Sequence, residues 1–486
     1  MLSKAFFPPE ALTSKAKFEW LPFNFERLEP GQVLVTNFVG EHLLLRDEEF
    51  EALSKKEFED SDLNAKLLAK HVIKPRGSKL AVELLALKYR TQLNRLPQFT
   101  ALHIFVISLR CEHSCPYCQV SRQVGSPEKY DMDKQTADRA LRQVFRSPSQ
   151  NIKIEFQGGE PLMNFDLVKY VVLEAKRINE TLERNLAFVI ATNLALIDEE
   201  ILAFCLEHSI AISTSLDGPE DIHNRNRPRP GNNSHQLAIE GIQKAHEFLG
   251  RGSVSALMTT TQASLRRVEE IVDTYVENDL NSIFLRPLSP YGFAIKKKGY
   301  AKYDVTDWVD FYKRGLDYIL ELNGRGVKIQ EMFATIVMRK MLTNEDPGYV
   351  DLMAPAGIGI AAVVYNYNGD VYASDESRML AEMGDETFRI GNLLEDTYEE
   401  IFLNEKLLAP LEESMPISAP MCSDCAFMRL CGADPVGSHT LFGDPVGKKP
   451  LSPFCQRNKS VFSLLIDKYE NDPSARKILL DWIAVR

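Results

Sequence analysis

The 486-residue sequence lacks long hydrophobic runs, a basic excess and abundant cysteine. No segment reaches the roughly 18 consecutive apolar residues that indicate a transmembrane helix, and the first residues contain no apolar stretch with a small-residue cleavage site. The net charge of −11 argues against general nucleic-acid binding, which depends on a basic surface. These absences predict a cytoplasmic protein with no membrane and no nucleic-acid partner.

Cysteine is scarce, yet seven of the eight cysteines fall in two groups. The first group is Cys111, Cys115 and Cys118, spaced C-x3-C-x2-C directly after the apolar run at 102–108. Three thiolates on one loop can hold three irons of a [4Fe–4S] cluster and leave the fourth iron without a protein ligand. Such an open iron can bind a small molecule.

Other interpretations of this loop stay open on spacing alone. A structural zinc site needs four ligands, and within the loop only His113 offers a fourth. A disulfide would leave one thiol unpaired and is not expected in a reducing compartment. Unliganded cysteines are the remaining alternative.

The second group is a C-x2-C-x5-C run followed by a distant fourth cysteine, and its members are Cys422, Cys425, Cys431 and Cys455. Four thiolates make a complete site, which by geometry alone suits zinc. The eighth cysteine, Cys205, lies in an apolar helical segment and is predicted to be a small buried hydrophobe.

From about residue 100 to 294 the chain alternates strand-like and helix-like stretches, which predicts βα units and a parallel sheet. Polar or glycine residues follow each predicted strand closely. Ligand sites in parallel barrels form at the carboxyl ends of strands. We therefore expect the segment 157–161, Asn193, Ser215, Leu257 and Arg286 to face one site.

The cysteine loop, the Gly-Gly-Glu-Pro turn at 158–161 and the six predicted strands resemble the radical SAM enzymes. The resemblance implies a partial (β/α)6 TIM-like barrel, an α/β fold, in which the open cluster binds S-adenosylmethionine. It also implies contacts to that cofactor from Tyr117, Gly158, Gly159, Glu160, Asn193, Ser215, Leu257 and either Arg225 or Arg227. Plain turn and cap roles remain alternatives for Glu160, Asn193 and the 217–219 turn.

The C-terminal cysteines resemble the SPASM extension of peptide-modifying radical SAM enzymes, which carries up to two auxiliary clusters. Three cysteine positions of that pattern are absent here: the segment 354–357 has none, Ser374 ends the Gly-Asp-Val-Tyr-Ala turn, and Pro435 stands at the third. All three belong to one auxiliary cluster. The resemblance therefore implies two [4Fe–4S] clusters in total, one that binds S-adenosylmethionine and one held by the C-terminal cysteines.

Longer strings, among them 117–122, 285–294 and 372–383, resemble the His-Xaa-Ser system radical SAM maturases of the HxsB type. That resemblance implies a ribosomally made peptide or small protein with His-Xaa-Ser repeats as substrate, and a cross-linked or otherwise modified side chain as product. It further implies a second radical SAM protein of the HxsC type as a partner and an electron donor such as ferredoxin or flavodoxin. Asp375 matches the catalytic aspartate of the related sulfatase-maturing enzymes, and a turn role is its alternative.

Four regions are predicted: an N-terminal α+β module over 1–96 that binds a leader peptide or caps the barrel, the barrel over 97–300, a helical bridge over 301–345, and the SPASM-like domain over 346–486. Two other functions stay open. One is a radical SAM maturase that oxidises a side chain or epimerises a peptide, and the other is a zinc-bound peptide-binding protein without catalysis.

Overall fold

The computed structural model describes residues 17–28, 31–57, 61–296, 303–343 and 346–484. Residues 1–16 of the predicted N-terminal module lie outside the described residues. None of the helices in the described ranges is long and apolar enough to cross a bilayer.

The N-terminal module is a small α+β unit, as its sequence predicts. An antiparallel meander of three strands packs Val33, Val35 and Leu45 against Leu53 and Leu67 of the helices that follow. A separate antiparallel pair joins the first and fifth strands. The elements are β1 (Phe18–Trp20), β2 (Phe23–Leu28), β3 (Gln32–Asn37), β4 (His42–Arg46), α1 (Asp47–Lys55), α2 (Ser61–Ala69), β5 (Ile73–Pro75) and α3 (Leu80–Gln92).

The central region carries five parallel strands in the order β10-β9-β8-β7-β6. Residues such as Phe105, Ile154 and Ile190 are buried, because helices cover the sheet. The sequences of parallel strands covered in this way are nearly continuous apolar runs. The elements are β6 (Leu102–Ser108), α4 (Pro127–Tyr130), α5 (Lys134–Val144), β7 (Asn151–Gly158), α6 (Phe165–Leu182), β8 (Asn185–Ala191), α7 (Glu199–Glu207), β9 (Ile210–Ser215), α8 (Glu220–Asn226), α9 (Ser234–Leu249), β10 (Val254–Leu257) and α10 (Val268–Glu277).

The sixth predicted strand differs from expectation. It is the two-residue β11 (Ser282–Ile283), which pairs in parallel with β12 (Gln330–Glu331) and not with β10. Glu331 explains the pairing, because its buried carboxylate accepts hydrogen bonds from Leu285 N at 3.2 Å and from Tyr312 Oη at 2.6 Å. The helical bridge thereby supplies the partner that the barrel strand needs.

The sheet continues into the C-terminal region. Strand β13 (Ala362–Tyr365) pairs in parallel with β6, and β14 (Asp370–Tyr372) and β15 (Arg389–Asn392) extend it in antiparallel fashion. One eight-stranded sheet therefore crosses the boundary predicted at 346. The remaining helices are α11 (Phe293–Lys296), α12 (Val305–Gly324), α13 (Met332–Leu342), α14 (Asp375–Ala381), α15 (Tyr398–Phe402), α16 (Glu405–Glu413), α17 (Pro435–Phe442), α18 (Pro453–Asn471) and α19 (Pro473–Ala484).

The N-terminal meander docks on the C-terminal cysteine loop. Asn24 Nδ2 donates to Ser423 O at 2.9 Å and to Cys425 O at 3.1 Å, and Thr36 Oγ1 donates to Ala426 O at 2.7 Å. Buried backbone carbonyls need such partners. Two regions far apart in sequence thus form one structural unit.

Candidate active site

A cavity opens at the carboxyl ends of the parallel strands. We call it the cysteine cavity, because the three cysteines of the C-x3-C-x2-C loop line it. Most of the other predicted site residues line it as well: Tyr117, Gly158, Gly159, Asn193, Ser215, Arg227, Leu257 and Asp375. Arg286 also lies in its wall, at the end of the last barrel strand. The structure therefore brings together residues from eight separate segments of the chain.

The two glycines after β7 hold the cysteine loop close to the sheet. A Cβ atom on Gly158, at φ +137°, would lie 2.0 Å from Ser108 O, and one on Gly159 would lie 2.3 Å from Arg110 O. Gly159 N donates to Ser108 O at 2.7 Å, and Glu160 N donates to Arg110 O at 2.8 Å. Glycine is required because backbone approaches backbone, in addition to any contact with a ligand.

The thiols of this loop are held in a partly buried setting. Burial raises the pKa of Cys115 to about 12, and burial together with the charges of Glu112 and Glu160 raises that of Cys111 further. Thiols in such a setting become thiolates when they coordinate a metal cation, which supplies the missing positive charge. Three converging thiols around one cavity fit a three-cysteine iron–sulfur cluster.

His113 is not free to act as a fourth ligand. Its Nδ1 lies 2.8 Å from Glu112 Oε1 and its Nε2 lies 2.7 Å from Ser234 Oγ, so both ring nitrogens have hydrogen-bond partners. The carboxylate, the imidazole and Cys111 Sγ do lie within 4.8 Å of one another. A zinc ion bound through Nδ1 would have to displace the contact between His113 and Glu112. The geometry therefore favours the three-cysteine interpretation.

Glu160 lies behind the cavity and does not line it. Its side chain accepts hydrogen bonds from Leu162 N at 3.0 Å, Thr192 Oγ1 at 2.7 Å and Asn193 N at 2.9 Å. Burial and the charge of Glu112 raise the pKa of Glu160 to about 7, and the three donors offset this only in part. These hydrogen bonds fix the turn that places Asn193 in the wall of the cavity.

A buried ion pair that the sequence interpretation missed supports the other wall. Asp217 is fully buried and accepts from Tyr117 Oη at 2.6 Å, from Arg227 Nε at 3.2 Å and from Thr259 N at 3.1 Å. Arg227 also lies 5.5 Å from the centre of the Tyr117 ring. Asp217 was interpreted as a turn residue because Gly218 and Pro219 follow it. Its place at the end of a predicted strand was the signal that could have found it.

Arg225 and Arg227, which the sequence did not distinguish, differ in position. Arg225 is exposed on α8 and lies outside the cavity lining, whereas Arg227 lines the cavity. Arg227 has a partner already, because it pairs with Asp217. The structure thus brings Arg227, and not Arg225, to the site.

Asp375 faces the cavity from the C-terminal region. It is the first residue of α14, and its Oδ1 lies 3.2 Å from Nη2 of the fully buried Arg378. Glu155, a second carboxyl that sequence analysis did not select, also lines the cavity, and burial raises its pKa. Glu155 sits inside β7, where its alternation with apolar residues gave no functional signal.

The four C-terminal cysteines gather beside α18 without forming disulfides. Burial raises the pKa of Cys455 to about 12. The charges of three neighbouring thiolates raise this pKa further, and these neighbours are Cys431, Cys425 and Cys422. Asn458 Nδ2 donates to Cys431 Sγ at 3.8 Å. At the absent cysteine positions, Ser374 is a buried N-cap of α14 and Pro435 opens α17. These four thiols fit one fully ligated site.

Comparison with known proteins agrees with this arrangement. The radical SAM superfamily matches residues 105–283. An uncharacterised protein of Methanothermobacter thermautotrophicus is 32% identical over 194 residues, 39% of this chain and 69% of that protein. A cysteine-type anaerobic sulfatase-maturating enzyme of Clostridium perfringens is 23% identical over 337 residues, 66% of this chain and 84% of that enzyme.

Solved structures show the same fold. Native anSMEcpe with bound AdoMet superposes with a TM-score of 0.62 at 19% identity, covering 79% of this chain and 99% of that one. SuiB of Streptococcus suis bound to its precursor peptide SuiA gives 0.53 at 16% identity, covering 87% and 97%. The fold, the three-cysteine loop and the matched domain lead to one conclusion: the chain belongs to the radical SAM superfamily, whose members use a [4Fe–4S] cluster and S-adenosylmethionine.

Proposed function

We propose that this chain is a maturase that modifies a ribosomally made peptide or small protein containing His-Xaa-Ser segments and leaves a cross-linked side chain. The observation that carries the proposal is the cysteine cavity, in which three thiols, several strand ends and Asp375 of the C-terminal region face one space. Relatives with this fold include enzymes described by their names as acting in sulfatase maturation, and SuiB, solved with a precursor peptide.

The residues that would hold the cofactors line this cavity. Cys111, Cys115 and Cys118 would bind the open cluster, and Asn193 and Ser215 at the ends of β8 and β9 would contact S-adenosylmethionine. When bound, these groups supply a carbon radical that takes a hydrogen atom from the substrate. Asp217 and Glu160 act through others, because they orient Arg227 and Tyr117 on one side and Asn193 on the other.

Asp375 is the proposed base for the substrate proton. It faces the cavity beside Met379 and is anchored by Arg378, whose Nη1 donates to Val120 O at 3.4 Å. A buried guanidinium that is fixed by two partners keeps the carboxylate in one orientation. A base needs such positioning before its proton affinity matters.

The C-terminal cysteines are proposed to hold one auxiliary [4Fe–4S] cluster, which would take up the electron that the substrate radical loses. The proposal also includes ferredoxin or flavodoxin as electron donor, a partner of the HxsC type, and a cytoplasmic location. The N-terminal module is proposed to add a leader peptide to its sheet, since β2 and β4 are the outer strands of the meander.

Anaerobic purification followed by iron and sulfide counting tests the proposal. We expect about eight irons per chain and formation of 5'-deoxyadenosine from S-adenosylmethionine under dithionite. A His-Xaa-Ser peptide should then lose a pair of hydrogen atoms, as a cross-link requires. Stoichiometric zinc with no 5'-deoxyadenosine would contradict the proposal. An unchanged peptide mass with altered chirality would point to epimerisation instead.

A further inference from the structure

A second cavity lies next to the cysteine cavity, and Arg286 lines both. We call it the aromatic cavity. Its walls are rings from the barrel end, the helical bridge and α18, and they include Phe284, Trp308, Phe333, Tyr349 and Phe454. Three carboxyl groups also line it: Asp351, Glu376 and Asp434. The proposed function assigns no role to this space.

The aromatic cavity is built from the part of the chain in which the expected cysteines are absent. Glu376 follows Ser374 by two residues, and Asp434 directly precedes Pro435. Both carboxyl side chains line the cavity, whereas cysteines would bind a cluster there by the resemblance described above. The cavity therefore lies beside two of the three positions at which the resemblance expects cysteines.

Two buried polar atoms of the lining have no partner. Trp308 is 2% exposed and its Nε1–H donates to no acceptor among the described residues. Asn458 is 1% exposed, and its Oδ1 accepts from no donor in the same part of the chain, although its Nδ2 donates to Cys431. An unsatisfied buried group costs about 1–3 kcal/mol. Among the described residues, the lining therefore offers a ligand one unpaired hydrogen-bond donor and one unpaired acceptor.

The carboxyl groups that line the cavity outnumber its guanidinium groups. Three carboxyls face two guanidinium groups, and within the described ranges neither Arg286 nor Arg457 forms an ion pair with them. Asp434 accepts from Gly437 N at 2.9 Å. Burial and the charge of Asp351 raise the pKa of Glu376 to about 7 and that of Asp434 to about 6. Carboxyls in this state favour a ligand that can share or accept a proton.

We propose that the aromatic cavity binds the imidazole ring of a substrate histidine. The ring can accept from the Trp308 indole and donate to the Asn458 amide. Ammonium and guanidinium groups offer no acceptor, and a carboxylate offers no donor and would meet three carboxyls. Carboxamides and hydroxyls offer both, but only imidazole carries its donor and acceptor on an aromatic ring, which can pack against the aromatic walls. The inference rests on the proposed function in one respect, that the ligand is part of a peptide.

Binding of four synthetic peptides to the anaerobically purified holoenzyme tests the inference. The probes are acetyl-His-Gly-Ser-amide and its versions with Asn, Lys or Glu in place of His, titrated by calorimetry in the presence of S-adenosylmethionine. We expect the histidine peptide to bind about tenfold more tightly than the others. Trp308→Phe keeps a ring in the wall but removes the N–H, and should weaken the histidine peptide about fivefold.

Trp482→Phe is the matched control, because Trp482 is 3% exposed but its Nε1 already donates to Asn323 Oδ1 at 3.5 Å. This variant should leave the affinities unchanged. Equal affinities for the four peptides, no binding of the histidine peptide, or no effect of Trp308→Phe would overturn the inference.

The outcome is separable from that of the proposed function. Cleavage of S-adenosylmethionine under dithionite is measured without any peptide. If cleavage occurs without histidine selectivity, only the histidine pocket is wrong. If zinc is found and cleavage fails while the histidine peptide still binds selectively, the proposed chemistry is wrong and the pocket stands.

Discussion

At the scale of single residues, two arginines that lie two positions apart in the chain have different surroundings. Arg227 shields the fully buried Asp217, whereas Arg225 points to solvent. Arg227→Ala would leave Asp217 buried without its counter-ion, which costs about 3–5 kcal/mol of unfolding free energy. Arg225→Ala should change it by less than about 0.5 kcal/mol. Chemical denaturation measures both variants, and equal stabilities would contradict this assignment.

Glu160 makes the stability of the protein depend on pH in one direction. Burial raises its pKa to about 7 in the folded chain, against 4.5 for a solvated glutamate, so between these values the folded state binds more protons than the unfolded state. This contribution to stability is complete below pH 4.5 and is lost as pH rises toward 7.

Glu160→Gln should remove that part of the pH dependence. It should also lower stability at every pH, because an amide presents a donor where Asn193 N or Leu162 N needs an acceptor. The measurement is the wild-type minus variant difference in unfolding free energy across pH 4.5 to 7, which also cancels other buried carboxyls. A difference that is constant with pH would count against the raised pKa.

Residue types and strand-end positions were sufficient to predict most of the cysteine cavity. Asn193, Ser215 and Leu257 follow strands, and parallel strands end at the same edge. Asp217 and Glu155 were missed because their importance comes from burial, which local sequence does not reveal. The occupied ring of His113 depends on Ser234, more than a hundred positions away.

At the scale of elements, the close backbone packing of the end of β7 against the cysteine loop positions the thiols. Gly159→Ala would place a Cβ 2.3 Å from Arg110 O and 2.5 Å from Leu109 O, so the backbone must move. We expect a loss of about 3 kcal/mol or more and fewer irons at the first site.

Gly252→Ala is the control for this change, because no atom lies within 4 Å of its added Cβ. It should leave both unfolding and iron content unchanged. Normal iron content in Gly159→Ala would show that this close backbone packing is not needed to place the thiols.

Strands β6 to β10 follow from their apolar runs, but β11 does not behave as its pattern predicts. Its partner β12 is a two-residue strand inside a region that reads as helical. The buried hydrogen bonds from Tyr312 and Leu285 to Glu331 explain why these residues pair as a strand. Short strands stabilised by tertiary contacts carry little signal of their own.

At the scale of the whole molecule, the docking of the N-terminal meander on the C-terminal cysteine loop predicts that each depends on the other. Asn24→Ala leaves the carbonyls of Ser423 and Cys425 without their donor. If the chain holds eight irons, as proposed, we expect a chelator to remove about four of them faster, with cleavage of S-adenosylmethionine retained. Iron release over time is the measurement.

Asn185→Ala provides the comparison, because Asn185 pairs with Asn151 on the exposed side of the sheet and contacts no cysteine loop. Its iron should be released at the wild-type rate. Identical release from Asn24→Ala and wild type would show that the meander does not support the loop.

The four-region division follows from composition and motifs, but the sequence does not show how the regions join. The pairing of β13 with β6 and the docking of Asn24 connect positions hundreds of residues apart. Contacts of this kind depend on the completed fold, because no local pattern marks either partner.

The same docking has a consequence for the order in which the protein is completed on the ribosome. The loop with Cys111, Cys115 and Cys118 and the sheet from β6 to β10 emerge early, whereas Cys455 emerges roughly 340 residues after the first thiol. At about 5–20 residues per second this gap lasts tens of seconds. During that interval the meander is already made but has no surface to cover. If the C-terminal cysteines hold a second cluster, as proposed, their site can form only after Cys455 is made and the meander has docked, well after the first three thiols are available.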